Sequence, residues 1–163
     1  PVLGPVNLSK LTDEAVLSFE ALAFESGKAL ELSAEVNLRV EGDTTQLRRL
    51  LQILIENALK HGAPGGTVQV SLQPAADKKV RLAVNNPGDP IPEDQLPHLF
   101  DRFYRADAAR DREAGGTGLG LSIAQAIAAA HGSEITVTSD AVTGTTFAIE
   151  LPRLRPGTGG SGD

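Results

Sequence analysis

Apolar residues recur at helical spacing in three stretches of the chain. Leu11, Ala15, Val16, Phe19, Leu22 and Ala23 form one stripe, which predicts a helix capped by Ser9, running to about Ser26 and stopped by Gly27. The second stripe, Leu47, Leu50, Leu51, Leu54, Ile55 and Ala58, is the most regular. It follows Asp43 and Gln46, spaced as a capping box, and Gly62 after His61 supplies a stop. A third apolar helix is predicted from Leu119 to His131, ended by Gly132.

Between these stretches the period changes to two. Residues 29 to 41 alternate in part and predict one or two strands around a turn. Thr67 to Leu72 and Val80 to Val84, separated by the polar turn PAADKK, predict an antiparallel pair, and Glu134 to Thr138 with Thr145 to Leu151 predict another. Pro87, Gly88, Pro90 and Pro92 then deny both helix and sheet, before a short helical piece within Leu96 to Tyr104. The charged stretch ADAARDREAGG has few apolar residues and is expected to be mobile, as is the Gly-rich tail, residues 156–163. Because the strands come as pairs and do not alternate one for one with helices, the order predicts an α+β fold. The expected architecture is a two-layer α/β sandwich with a mixed, mainly antiparallel sheet, and not a doubly wound parallel one.

Composition narrows the classes. At 163 residues and 40% hydrophobic, the chain suits one domain, placed at residues 1–155. A net charge of −6 argues against nucleic acid or an anionic membrane as a general partner, so an anion site has to be local. Without cysteine there are no disulfides or thiolate metal sites, and His61, His98 and His131 are too scattered for a zinc motif. No apolar run approaches the ~20 residues that span a bilayer, and the chain is expected to be soluble and monomeric. Lacking methionine, it is expected to be a piece of something longer.

Two segments carry candidate chemistry. Asn57, Lys60 and His61 lie at i, i+3 and i+4 of the second helix, on one face away from the Leu54 and Ala58 stripe. An amide oxygen beside an ammonium can serve Mg²⁺ and phosphate, while on the helix alone an ordinary Glu56–Lys60 surface pair with a solvated Asn57 is the favoured reading. The run Gly116, Thr117, Gly118, Leu119, Gly120 precedes a helix, where backbone N–H groups and the helix dipole can meet a phosphate. It lacks the Gly-Lys-Ser/Thr end of a Walker A loop and does not follow a strand as a dinucleotide fingerprint would.

Taken in order, ENALKHG, PGDPI, FDRFYR, GTGLGL and GTTF resemble the N, first glycine, F and second glycine boxes and the last motif of the ATP-binding catalytic domain of sensor histidine kinases. The resemblance covers residues 6 to 152 and implies a Bergerat-type ATP-binding fold, its sheet covered on one face by three helices, with a lid at about 101–118. It implies that Asn57 ligates Mg²⁺, Lys60 approaches the phosphates of ATP, and His61 flanks adenine or ribose. Arg105 would reach the γ-phosphate, with Arg102 a second candidate, and Gly116, Thr117, Gly118, Leu119 and Gly120 would wrap the phosphates. Gly88, Ile91 and Thr145 would border the adenine, whereas Phe100 and Phe103 would pack the lid base.

The resemblance has departures. Asn86 stands where the family has an Asp that accepts the adenine amine, Pro90 replaces the second glycine of its box, and Ile53 replaces a polar residue one turn before Asn57. An Asn oxygen still accepts that hydrogen bond without the assistance of a charge. The NPG form of the box resembles the heavy-metal-responsive branch. No histidine here has the phosphoacceptor context, so the implied partners are a histidine-bearing dimerisation domain of a homodimeric, membrane-anchored parent and a response regulator, with this domain in the cytoplasm. Two rival readings are a nucleotide-sensing pseudokinase, motivated by Asn86 and Pro90, and a hydrolytic ATPase of the same superfamily using Glu56 as base.

Overall fold

The computed structural model describes residues 2–102 and 119–155. The expected lid from 103 onward to 118 and the tail from 156 lie outside those residues. In chain order the elements are β1 (Gly4–Asn7), α1 (Leu8–Ser18), α2 (Glu20–Glu25), β2 (Ala29–Ala34), β3 (Arg39–Gly42), α3 (Thr44–His61), β4 (Thr67–Ala75), β5 (Lys79–Asn86), a 3₁₀ turn (Leu96–His98), α4 (Gly120–Ala130), β6 (Thr136–Asp140) and β7 (Gly144–Pro152).

Five strands form one mixed sheet in the order β2-β4-β5-β7-β6. Only β2 and β4 run parallel; the β4–β5 and β6–β7 hairpins and the β5–β7 pair are antiparallel. Val68, Val70 and Leu72 of β4, Val80, Leu82 and Val84 of β5 and Phe147, Ile149 and Leu151 of β7 are buried, while Gln69, Gln73, Arg81 and Glu150 on the other face are exposed. One face therefore carries helices α1, α3 and α4 and the other meets water, which is the expected two-layer α+β sandwich.

Helix α3 is the central beam. Leu47, Leu50, Leu51, Leu54 and Ile55 are each at most 1% exposed, and burying each such side chain contributes about 1.5–3 kcal/mol. The Asp43 carboxylate accepts from Gln46 N (3.0 Å) and from Val2 N (2.8 Å). The reciprocal half of the capping box is absent: Gln46 Oε1 has no partner, and Asp43 N donates to His131 Nε2 at 3.0 Å. His131 Nδ1 lies 2.8 Å from the Ile127 carbonyl, which can only accept, so Nδ1 carries the ring proton and Nε2 is the acceptor. His131 thus ties the end of α4 to the start of α3. Gly42 leaves room for this contact, since a Cβ there would lie 3.1 Å from His131 Nε2 and 2.6 Å from Leu47 Cδ1.

The Asp43 carboxyl is held below its ordinary value, first by the hydrogen bond from Gln46 N–H. A depressed folded-state pKa means stability that is present above the unfolded value of about 4 and lost as pH falls through the folded value. Thermal melts between pH 7 and pH 2 should show Asp43→Asn, which still caps, close to wild type at neutral pH but with a smaller loss in acid. An identical acid loss in both proteins would show that Asp43 contributes nothing to it.

The first helix departs from the expected one. Its cap is Asn7, which accepts from Lys10 N at 3.0 Å, and not Ser9. Ser9 lies inside the helix, where its hydroxyl donates to Glu35 O (2.6 Å) and accepts from Leu38 N (3.0 Å). The helix also breaks at Phe19 (φ −104°, ψ 2°), and the short α2 follows, which keeps both Phe19 and the buried Ala23 against the core. Gly27 is the predicted stop: at φ +70° it lets Gly27 N bond Phe24 O and Lys28 N bond Ala23 O, a Schellman end. Residues 29 to 41 supply two strands that serve different sheets, β2 in the main one and β3 paired antiparallel with β1.

Candidate functional site

The C-terminal end of α3, the segment after β5, the start of β7 and the start of α4 hold all the expected site residues that fall within the described part of the chain. Arg105, Gly116, Thr117 and Gly118 lie outside it.

On α3, Leu54, Ala58 and Leu59 are buried, which turns Asn57 and Lys60 to the rim, each half-buried, with His61 exposed. Neither Asn57 nor Lys60 has a side-chain partner among the described residues, so the simple Glu56–Lys60 pair does not form there. Lys28 Nζ donates to the Leu59 carbonyl, meeting the negative end of the helix dipole and leaving the Lys60 ammonium uncommitted. Gly62 ends the helix at φ −68°, without a left-handed turn. A Cβ there would lie 2.9 Å from Ala58 O and 3.4 Å from Asn86 Cβ, so this glycine lets the next loop close onto the Asn86 segment.

That segment is clamped by main chain. Asn86 ends β5 opposite Thr145 of β7, and both are 5% exposed. Ala63 N donates to Pro87 O at 2.9 Å. Gly88 sits at φ +142°, a backbone that favours glycine. Gly144, at φ +82°, runs so close that a Cβ there would lie 2.2 Å from Asn86 O. Asn86 Nδ2 donates to Pro87 O (3.1 Å), and its Oδ1 has no protein partner among the described residues. Ile91 N donates to Ser139 Oγ (2.9 Å), which lies 2.8 Å from Thr145 Oγ1, so one serine fixes both the loop and the hydroxyl on β7. Asn85 Nδ2 ties the same end of β5 to Thr143 O (2.7 Å) and Thr146 Oγ1 (2.9 Å).

Helix α4 begins at Gly120, preceded by Leu119, which makes no side-chain cap, so among the described residues its first-turn N–H groups have no side-chain acceptor. A Cβ on Gly120 would lie 3.5 Å from Ile53 Cγ2, an ordinary contact. Ile53, one turn before Asn57, therefore packs the start of α4 against α3, and the uncapped N–H groups come to the same region as Asn57. A polar residue at 53 would have no such packing to make. Phe100 stacks edge-on against Phe147 (6.0 Å, 89°) beneath the segment leading to exposed Arg102, which accords with the packing role expected of it; Phe103 lies outside the described residues.

Two contributors escape a reading of the sequence. Ser139 has no motif and acts only through the β6–β7 register, and Lys28 follows a stop glycine and reads as a turn residue; Gly144 belongs to the GTTF motif, but the reason it must be glycine shows only beside Asn86. A depression at the other end of α3, lined by Val2, Asp43, Thr44, Thr45 and Gln46, contains none of the expected residues. Among the described residues no helix is long and apolar enough to cross a membrane, and no cluster of three or more His, Asp or Glu could hold a metal.

The profile of the family described as histidine kinase-, DNA gyrase B-, and HSP90-like ATPase matches residues 42–155. The sensor histidine kinase CusS of Escherichia coli K12 is 43% identical over 147 residues, covering 90% of this chain and 30% of CusS. The chain thus spans about a third of the length of such relatives. The nucleotide-free catalytic domain of histidine kinase ThkA superposes with a TM-score of 0.80 at 29% identity, covering 94% of this chain and 99% of that domain. ThkA in complex with the response regulator TrrA gives a TM-score of 0.77 at 27% identity, covering 93% of this chain and 42% of that one.

Proposed function

Because the chain belongs to the family of histidine kinase-, DNA gyrase B- and HSP90-like ATPases, we propose that it is the ATP-binding catalytic domain of a two-component sensor histidine kinase. It presents the γ-phosphate of ATP to an imidazole nitrogen on a dimerisation domain that this chain does not contain. A bond forms from that nitrogen to the phosphorus, the bond to the bridging oxygen breaks, ADP leaves, and the imidazole proton passes to a base on the same partner domain. The protein's share of such a transfer is positioning and charge neutralisation.

The observation that carries this reading is that Asn57 and Lys60, half-buried and, among the described residues, unengaged, lie one turn beyond Ile53, which faces a helix start whose N-cap residue makes no side-chain cap. Mg²⁺ suits this donor set, one neutral amide oxygen with phosphate oxygens and water completing the shell, and when bound it would offset phosphate charge. Asn57 would hold it, Lys60 would meet the phosphates, and the first-turn N–H groups from Gly120 on would donate to phosphate oxygens. Asn86, Gly88, Ile91 and Thr145 would frame the adenine, with His61 at its flank. Arg105, with Arg102 as second candidate, and residues 116–118 complete the proposed phosphate site, and the segment from about 101 to 118 is proposed as the lid.

The proposed partners are the dimerisation domain of a homodimeric, membrane-anchored parent, with this domain on the cytoplasmic side, and a response regulator, a partner that ThkA is seen to bind. The likeness to CusS and the NPG form of the adenine box support the heavy-metal branch. Calorimetric titration with ATP, with and without Mg²⁺, followed by transfer of labelled phosphate to an added dimerisation domain, tests the reading. Saturable Mg²⁺-sensitive binding and a labelled histidine are expected; no binding would overturn it, and binding without transfer would favour the nucleotide sensor.

A further inference from the structure

At the base end of the proposed nucleotide site, the available side-chain groups share a property: each can both donate and accept. Asn86 is 5% exposed, and its Nδ2 spends one proton on Pro87 O. A second N–H and the whole of Oδ1 remain on the same buried amide. Opposite it, in the same strand pair, the Thr145 hydroxyl is equally buried and is joined to Ser139, so either oxygen can act as the donor of that pair. The nearby carboxylates are committed elsewhere or face water. Asp140 accepts from Val142 N, Thr143 N and Thr143 Oγ1, and Asp89 is exposed.

This matters because discrimination at purine position 6 is a question of hydrogen-bond direction. A 6-amino group donates and the adjacent ring nitrogen accepts; in a 6-oxopurine both directions reverse. A carboxylate at residue 86 would have a fixed direction: it accepts from the amine and opposes the lone pairs of an oxo group at a site with little water to relieve the clash. Sites of fixed polarity reject the reversed ligand strongly because a buried group is left unpaired. The Asn86 amide meets the amine with Oδ1 or the oxo group with its spare N–H, and the Thr145 hydroxyl turns to suit the ring nitrogen.

We propose that this domain takes 6-oxopurine nucleoside triphosphates as well as ATP, and that Asn86 is the residue that admits them. The inference rests on the nucleotide-binding reading above and names the ligand class of that same site. Inosine triphosphate is the suitable probe, since it differs from ATP at position 6 and the adjoining ring proton alone.

Titration of this chain and of Asn86→Asp with ATP and with inosine triphosphate, both with Mg²⁺, tests it. The wild-type chain should bind the two within about tenfold of each other, whereas Asn86→Asp should tighten ATP and lose inosine triphosphate by roughly 100-fold. ATP binding by the variant reports that its pocket is intact. Wild-type binding of ATP with inosine triphosphate weaker by about 100-fold or more would overturn the inference while leaving the ATP-binding reading standing. Failure of the wild-type chain to bind either nucleotide would overturn both.

Discussion

Asn57→Ala should lower Mg²⁺-dependent affinity for ATP by roughly 100-fold or more while leaving the fold intact. The first half follows from the proposed ligand role: outer-shell partners of a metal ligand are already worth roughly 10- to 100-fold, and the ligand itself should exceed them. The second half follows from what Asn57 touches. It makes no side-chain hydrogen bond among the described residues and is half-buried on a helix whose opposite face carries the core, so alanine breaks no described hydrogen bond and leaves the core packing in place. Intrinsic helix propensity favours the change by about 0.5 kcal/mol. Calorimetry with and without Mg²⁺, paired with a thermal melt, separates the effects. Retained Mg²⁺-dependent binding would remove Asn57 from the metal, and lost binding with a lowered melting temperature would make the residue structural.

Gly144→Ala should do the reverse and damage the fold first. The backbone at φ +82° costs an L residue about 1–2 kcal/mol, and the added Cβ would lie 2.2 Å from Asn86 O and 3.0 Å from Pro87 Cα. Both are main-chain atoms, so no rotamer relieves the overlap, and overpacking adds about 1–3 kcal/mol. The sum, about 2–5 kcal/mol, corresponds to a fall of roughly 10 °C in melting temperature for a domain of this size. Nucleotide affinity should fall with it, because β7 can only retreat by moving Thr145 away from Asn86. Gly65→Ala is the control: its φ of +74° carries similar strain, but nothing lies within 4 Å of the added carbon. Equal losses in the two variants would show that strain alone, and not the approach to Asn86, sets the demand for glycine.

The parts of this molecule that were legible in its sequence are those fixed by local chemistry. Helix α3 runs from the residue after Asp43 to His61 as the spacing of Leu47 to Ala58 predicts, and Gly27 and Gly132 stop their helices by the same left-handed turn. The β4–β5 and β6–β7 hairpins follow from alternation and short turns. What was hidden depends on contacts across the chain. The break at Phe19 interrupts an apolar stripe that continues on both sides of it, so periodicity alone gives no sign. Strand β1 is four residues long, includes a proline and exists because β3 lies beside it. Gly62 was legible as a stop but not as the reason the Asn86 loop can close. Of the proposed site, the motif residues stand out by type and spacing. Ser139 does not, because nothing but register brings it to Thr145 and Ile91.

The bond from Asp43 N to His131 Nε2 joins residues 88 positions apart and ties the C-terminal end of α4 to the N-cap of α3. It anchors α4 at its far end, whereas at the end near the proposed phosphates that helix has no side-chain cap among the described residues. A shift of α4 along its axis would reach the N-cap residue of α3, whose carboxylate also receives the Val2 and Gln46 amides.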